Sequence, residues 1–249
     1  MIRPGGKELT IKAIENAGLE KGAKILDIGC GEGDTVAILK NELGFDAIGC
    51  DVSEKIIEKG KEKYPDIDLR QMEGKLLEFE SKYFDAVIME CSLSLMELQP
   101  DVIHEVYCVL KNGGKFIITD MFLKDPTSEE IDEVVKAVED ARNTPREELE
   151  CGEDLLPSAF MYKGGFILEG LENTCVELGM ERVYYSDESD VLPTYVGDII
   201  FKYGSFEEYT KTVVPEGESA ASYFSCFSLD EDCIDPKRIG YFLMILEKK

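Results

Sequence analysis

Residues 25–33 read Ile-Leu-Asp-Ile-Gly-Cys-Gly-Glu-Gly, an apolar run that gives way to an acid and three glycines at alternate positions, Asp27, Gly29, Gly31 and Gly33. The pattern predicts a buried strand that turns sharply into a helix. Glycine accepts left-handed backbone and lets a ligand press against peptide groups, and the helix opening at Asp34 presents unpaired N–H groups to that ligand. The stretch reads as a cofactor-binding turn.

Outward from it, short apolar runs alternate with amphipathic stretches, the pattern of βαβ units feeding a mostly parallel sheet. Strands are expected at 24–28, 47–50, 67–71, 84–89 and 115–119. Helices are expected at 34–43, at 53–63 with Ser53 as N-cap, and from Pro100 with Val102, Ile103, Val106, Val109 and Leu110 as its buried stripe. Lys111-Asn-Gly-Gly114 is expected to stop that last helix. In the second half, Thr127-x-x-Glu130 forms a capping box that opens an extra helix to about residue 142. A helix at 166–178 and strands at 181–186 and 240–246 follow.

The expected fold is α/β over residues 1–249 as one domain: a doubly wound, mostly parallel seven-stranded sheet with helical insertions after strands five and six, at 124–163 and 188–238. Strands five and six run parallel to the others, so the insertions leave from the carboxyl edge, where open α/β sheets bind ligands. They are expected to act as lids. The alternative is that they cap apolar surface elsewhere or form an oligomer interface, and the oligomeric state stays open.

The spacing narrows the ligand. A dinucleotide fingerprint would place its third glycine at position 34, which is Asp34, and an acid there repels a pyrophosphate. A cationic ligand with an amino-acid head and a ribose suits the acidic turn better, and S-adenosylmethionine is such a ligand. Asp51 ends the second strand about twenty residues on, where doubly wound folds place an acid for ribose hydroxyls.

At these residues the chain resembles the class I S-adenosylmethionine-dependent methyltransferases, whose first motif is D/E-x-G-x-G-x-G. Phe84-Asp-Ala-Val-Ile-Met-Glu90 resembles their fourth motif, and Lys111-Asn-Gly-Gly-Lys-Phe-Ile-Ile118 their L-K-P-G-G segment, with Asn112 where proline is usual. Five motifs in order span residues 24–120. Arg3-Pro-Gly-Gly6, Glu90-Cys-Ser-Leu-Ser-Leu95, Ser186-Asp-Glu-Ser-Asp-Val-Leu192, Tyr203-Gly-Ser205 and the closing Gly-Tyr-Phe-Leu-Met together look like a bacterial subfamily of type 11 methyltransferases.

The resemblance implies a Rossmann-like methyltransferase fold with the cofactor held by Asp27, Gly29, Cys30, Gly31 and Gly33. It implies that Asp51 holds both ribose hydroxyls, that Val52 lies against the adenine, that Glu73 and Gly74 sit near the adenine amino group, and that Lys75 and Leu76 flank the ring. Segments before the first strand often fold over the cofactor in this superfamily, so Arg3 is expected to pair with the methionine carboxylate and Thr10 to add a hydroxyl. The alternative for Arg3 is a frayed terminus.

Methyl transfer from a sulfonium chiefly needs alignment, which alone supplies on the order of 7–11 kcal/mol. A dedicated catalytic residue is therefore optional. Glu90 is the preferred group to orient or deprotonate an acceptor, and an acid there serves equally to contact the cofactor. Cys91, Ser92 and Asp120 leave the sheet beside it, while Tyr162, Tyr195 and Tyr223 lie in the insertions. His104 is expected to be solvated.

The acceptor is expected to be a small molecule. Two alternatives stay open: a protein or thiol-bound metalloid acceptor, the latter through Cys91, Cys151, Cys226 and Cys233, and a cofactor-binding protein without turnover. The net charge of −25, from 52 acids against 27 bases, argues against nucleic acid and anionic membrane as partners. One histidine and no C-x-x-C pair give no support for a zinc site, and no resident metal is expected. The N-terminal residues lack a signal-like pattern and no apolar run is long enough to span a bilayer, so a cytoplasmic protein with eight reduced thiols is expected.

Overall fold

The β-branched and leucine side chains of Lys24–Ile28 place this strand, β1, at the centre of a sheet covered on both faces, with Ile25, Leu26 and Ile28 fully buried. The computed structural model describes residues 3–96, 98–143, 160–163, 165–205, 208–209, 211 and 235–249. The helix α1 (Gly6–Ala17) precedes β1. After it come α2 (Asp34–Ala37), continued by one π turn at Ile38–Glu42, then β2 (Asp46–Asp51), α3 (Glu54–Lys63), β3 (Asp68–Gln71), β4 (Phe84–Glu90), α4 (Gln99–Val109) and β5 (Leu110–Leu123). The second half adds α5 (Ser128–Asn143), β6 (Met161–Tyr162), β7 (Gly165–Phe166), α6 (Leu168–Glu177), β8 (Met180–Asp187), α7 (Leu192–Tyr203) and β9 (Ile239–Lys248).

The seven expected strands run in the order β3-β2-β1-β4-β5-β9-β8, with β9 antiparallel to both its neighbours and the rest parallel. The hairpin β6/β7 adds two short strands and makes nine. It joins β5 at Phe122, just past Thr119, where the β4 ladder ends. Phe166, expected to open a helix, is therefore a strand residue, and α6 begins at Leu168. The strand order reverses between β1 and β4, which opens a crevice at their carboxyl ends.

Alternation along the strands separates two cores. Ile25, Ala86, Ile88, Ile117, Tyr241 and Leu243 face α1, α3 and α7; Leu26, Val87, Met89, Phe116, Ile118 and Phe242 face α4 and α6. By the same parity Asp27, Glu90 and Thr119 fall on the α1 face and Asp120 on the α4 face.

Two expectations about β5 need correction. Residues 111–114 do not separate a helix from a strand: α4 passes directly into β5, and residues 110–115 bulge opposite Phe84–Ala86, with Gly113 left-handed at φ 77°. Leu110, expected on the helix stripe, is the first strand residue. Asp120 does not leave the strand but sits inside it, buried and opposite Phe242.

The predicted caps form as drawn. Ser53 Oγ accepts from Ile56 N at 3.4 Å, and in the capping box Thr127 N donates to Glu130 at 2.8 Å while Glu130 N donates to Thr127 Oγ1 at 3.2 Å. Glu130 also pairs with Arg238 at 2.7 Å, and Lys124 N donates to Arg238 O at 2.7 Å, so the two inserted segments are tied together at their bases. Within the second insertion, Tyr195 and Ile199 of α7 are buried with Tyr209 in the α1-side core. Within the insertions, residues 144–159, 206–207, 210 and 212–234, and with them Cys151, Tyr223, Cys226 and Cys233, lie outside the described residues. Among the described residues no helix is long and apolar enough to cross a membrane.

Candidate functional site

The glycine turn leaves β1 at the reversal point of the sheet. Gly29, Gly31 and Gly33 all adopt left-handed backbone, at φ 74°, 55° and 84°. At Gly29 the requirement is double, since an added Cβ would lie 2.4 Å from Ser92 Cβ. The turn is fastened across the sheet: Gly29 N and Cys30 N donate to Cys50 O at 2.8 and 3.0 Å. Cys30 packs beneath it, and burial, with Asp27 adding repulsion, pushes its thiol far up; it is a packing group.

Asp51, at the end of β2, uses one oxygen for each of two backbone donors, Gly31 N and Ser53 N, both at 3.0 Å. Each carboxylate oxygen keeps a further lone pair for a ligand. Val52, the next residue, is 63% exposed, and Leu76, in the turn after β3, is 65% exposed. Glu73 and Lys75 pair with each other at 3.5 Å on exposed surface, and Gly74 leaves room for Met96, whose Sδ lies 2.9 Å from where its Cβ would be.

Glu90 ends β4, and its side chain is only 4% exposed. Its carboxylate accepts from Thr10 Oγ1 at 2.8 Å and Thr35 Oγ1 at 2.7 Å, and pairs with Arg3 Nη2 at 3.1 Å. Arg3 Nη2 also bonds Thr10 Oγ1. The N-terminal segment is therefore folded onto the site rather than frayed. Arg3 holds Glu90, and its Nε–H is buried with no hydrogen-bond partner among the described residues. Asp27, 3% exposed, lies on the same face; burial, with Glu90 repelling it, holds its carboxyl well above the usual carboxylate range.

Beyond Glu90, Cys91 takes left-handed backbone at φ 52° and its Sγ lies 2.9 Å from Tyr241 Oη, which donates to Thr119 Oγ1 at 3.0 Å. Burial, with Asp120 adding repulsion, pushes the Cys91 thiol well up, so it is neither a ready nucleophile nor a ready soft-metal ligand. Asp120 accepts from Ser94 Oγ at 2.7 Å, Ser94 N at 3.0 Å and Met121 N at 2.9 Å. Burial raises its carboxyl to about 6 against the pull of those bonds.

Asp34, expected to act by repelling phosphate, accepts from Lys63 Nζ at 2.8 Å and Tyr64 Oη at 2.6 Å. Burial opposes its charge, but these bonds hold its carboxyl below the usual range. The turn is thus less acidic than the bare sequence implies. His104 is exposed, as expected. Among the described residues, no three His, Cys, Asp or Glu side chains are grouped to hold a metal ion.

Several groups at the site carried no signal in the sequence. Thr35, Ser94 and Met96 matter through tertiary contacts that no motif announces. The nearest hint was the seryl-rich Glu90-Cys-Ser-Leu-Ser-Leu95 at the end of a strand.

The comparisons with known proteins agree with this geometry. Residues 25–114 match the model of a family described as a methyltransferase domain. A Haemophilus influenzae protein of uncharacterised function is 30% identical over 130 residues, covering 49% of this chain and 52% of that protein. A demethylmenaquinone methyltransferase of Listeria welshimeri is 32% identical over 109 residues, covering 41% of this chain and 46% of the enzyme. The chain spans about half the length of these relatives. Among solved structures, the cyclase SpnF superposes with a TM-score of 0.67 at 18% identity, over 97% of this chain and 80% of that one. A Haemonchus contortus phosphoethanolamine N-methyltransferase, in complex with S-adenosyl-L-methionine, superposes with a TM-score of 0.65 at 19% identity, over 100% of this chain and 54% of that one. The resemblance to class I methyltransferases is thus supported by both sequence and fold.

Proposed function

We propose that this protein binds S-adenosylmethionine across the crevice between β1, β2 and β4 and transfers its methyl group to a small-molecule acceptor. The observation that carries the reading is Asp51. It is fastened by Gly31 and Ser53, keeps a free lone pair on each oxygen, and is followed by the exposed apolar Val52. That donor set suits a ribose carrying a flat heterocycle. At the other end of the crevice, the buried Arg3 Nε–H, without a partner among the described residues, suits a carboxylate.

When bound, the cofactor supplies a methyl group on a positively charged sulfur, open to in-line displacement. The chain's own residues hold and shield. Gly29 and Gly31 let the backbone approach closely, Asp51 orients the ribose, Glu73 and Gly74 border the ring with Lys75 and Leu76, and Arg3 with Thr10 closes the N-terminal segment over the amino-acid end. Glu90 is assigned to holding this segment, because its carboxylate already serves Arg3, Thr10 and Thr35. With Asp120 and Cys91 also engaged, the acceptor is one that is nucleophilic without a strong base. We assign the insertions at 124–163 and 188–238 to covering the acceptor within a single domain.

A second reading keeps the cofactor without methyl transfer. Its support is that SpnF, a cyclase, shares the fold, and that no described acid at the tip of β4 is disengaged. Incubation with methyl-labelled cofactor and fractionated cell extract separates the readings. Label in a small-molecule fraction is the expected result; label on protein moves the acceptor to a macromolecule, and no transfer by a protein that binds the cofactor favours the second reading.

A further inference from the structure

The turn that follows β4 meets the glycine turn at close range. Ser92 Oγ donates to Ile28 O at 2.7 Å, its Cβ fills the space where a Gly29 side chain would be, and the methyl of Met96 lies 3.4 Å from that same point. Met96 Sδ lies 2.9 Å from the corresponding point at Gly74. Residues 92–96 therefore line the crevice from the glycine turn to the third-strand turn. This is the wall against which a ligand on Gly29 and Gly74 must fit.

A short 3-10 turn at Leu93–Leu95 is held weakly by its own backbone. Gln99 Nε2 donates to Leu93 O at 2.9 Å, and the middle of the turn is gripped by Asp120 on the neighbouring strand. The Asp120 carboxylate takes both donors of Ser94, the hydroxyl at 2.7 Å and the backbone N–H at 3.0 Å, and locks its own rotamer with Met121 N at 2.9 Å. The carboxylate is 1% exposed. A buried acid on β5 is a costly way to fill a core position, since burial of a charge opposes folding unless the bonds it makes are needed. An apolar residue would pack there without that cost but would release the turn.

We propose that Asp120 is a positioning residue: by gripping Ser94 it fixes the 92–96 wall against Gly29 and Gly74, and so sets the affinity of the crevice for its cofactor. The inference rests on the reading of that crevice as an S-adenosylmethionine site. Asp120 touches neither the glycine turn nor Asp51 and acts through Ser94 alone. Ser94 from the turn bonds it; Cys91 at the end of β4 and Tyr241 on β9 lie toward the other face of the sheet, feel its charge, and stay neutral across the working pH range because burial pushes both well up. Asp120 is thus the group of this set that changes charge near neutrality. Oδ1 already accepts two of the three bonds, from Ser94 Oγ and Met121 N, so a proton there competes with one of them.

The test is titration of wild type, Asp120→Asn and Ser94→Ala with S-adenosylhomocysteine at pH 7.5 and pH 5, alongside thermal melting of each. Asp120→Asn keeps an oxygen for the Ser94 hydroxyl but turns an amide N–H toward Ser94 N, so its affinity at pH 7.5 should fall about tenfold while its melting temperature holds or rises. Ser94→Ala, which keeps the backbone bond, should lose about threefold. The ratio of affinities between the two pH values should be larger in wild type than in Asp120→Asn, because Asp27 titrates in both and Asp120 only in the first. Wild-type affinity in Asp120→Asn, an unchanged pH ratio, or a folded Ser94→Ala that binds as wild type overturns the proposal. Failure of the wild type to bind at all instead removes the cofactor reading on which it rests.

Discussion

The Thr35 hydroxyl donates to Glu90 Oε2 at 2.7 Å across 55 residues of sequence. One residue opens the helix after the glycine turn and the other ends β4, so the bond joins the two strand ends that bracket the crevice. Thr10 and Arg3 join the same carboxylate and bring the N-terminal segment into the assembly.

Glu90→Gln should loosen all three. The amide still accepts from one threonine, but Arg3, with only 11% of its side chain exposed, loses its counter-charge. Removing one partner of a buried ion pair costs about 3 kcal/mol. For a chain of this size that lowers the melting temperature by about 6–12 °C. Melting curves of the variant check this, and a drop under about 2 °C would show that the pair is not buried as described.

Gly29→Ala should be worse than an ordinary turn substitution. The left-handed backbone strains any side chain, and the new methyl would lie 2.4 Å from Ser92 Cβ. The two effects together cost about 3 kcal/mol. Loss of affinity for S-adenosylhomocysteine in a folded but destabilised protein is the expected outcome. Gly113→Ala, at φ 77° with nothing near its Cβ, should leave affinity untouched and serves as the control for backbone strain alone.

Stability should rise as pH falls from 7.5 to about 5. Asp27 and Asp120 have folded values above their unfolded ones, Asp120 at about 6, so the folded state binds more protons between pH 4 and 6 and gains stability on acidification. The excess of acids works in the same direction by repelling itself less. Below about pH 4 the sign reverses. Arg238 holds Glu130 at about 2, and Lys111, working against burial, holds Asp85 low; the stability these pairs contribute is lost as they take up protons. Melting temperature measured from pH 3.5 to 8 should therefore peak on the acid side of neutrality, and a steady decline from pH 8 to 5 would contradict the burial of Asp27 and Asp120.

Lys248 should matter for stability but not for binding. Its Nζ donates to Tyr107 O at 2.5 Å and Leu110 O at 2.9 Å at the exit of α4, and lies 4.0 Å from the centre of the Tyr107 ring. This is the end of β9 away from the crevice. Lys248→Met leaves two carbonyls without their donor and should cost about 2 kcal/mol in denaturant unfolding, with unchanged ligand affinity.

What could be read in advance divides along local and tertiary lines. The Ser53 cap and the Thr127–Glu130 box each depend on neighbours within a few residues, and each forms as its spacing implies. The start of β5 was misplaced because Gly113 and Gly114 mimic a helix stop, whereas they form a bulge that only the partner strand reveals. Asp34 looked like a free acid because Lys63 and Tyr64 lie a whole βα unit away. The partners of Glu90 are hidden for the same reason: Arg3, Thr10 and Thr35 meet it from distant parts of the sequence. Strand parity could have placed Asp27 and Glu90 on one face, but not the threonines from two helices that meet them.

The reading of the crevice around Asp51 as an S-adenosylmethionine site stands or falls on isothermal titration of S-adenosylhomocysteine into wild type and Asp51→Ala at pH 7.5. The wild type should bind one equivalent and the variant should bind at least about thirtyfold more weakly, the loss expected for charged hydrogen bonds. No binding to the wild type, or equal binding to both, would contradict it.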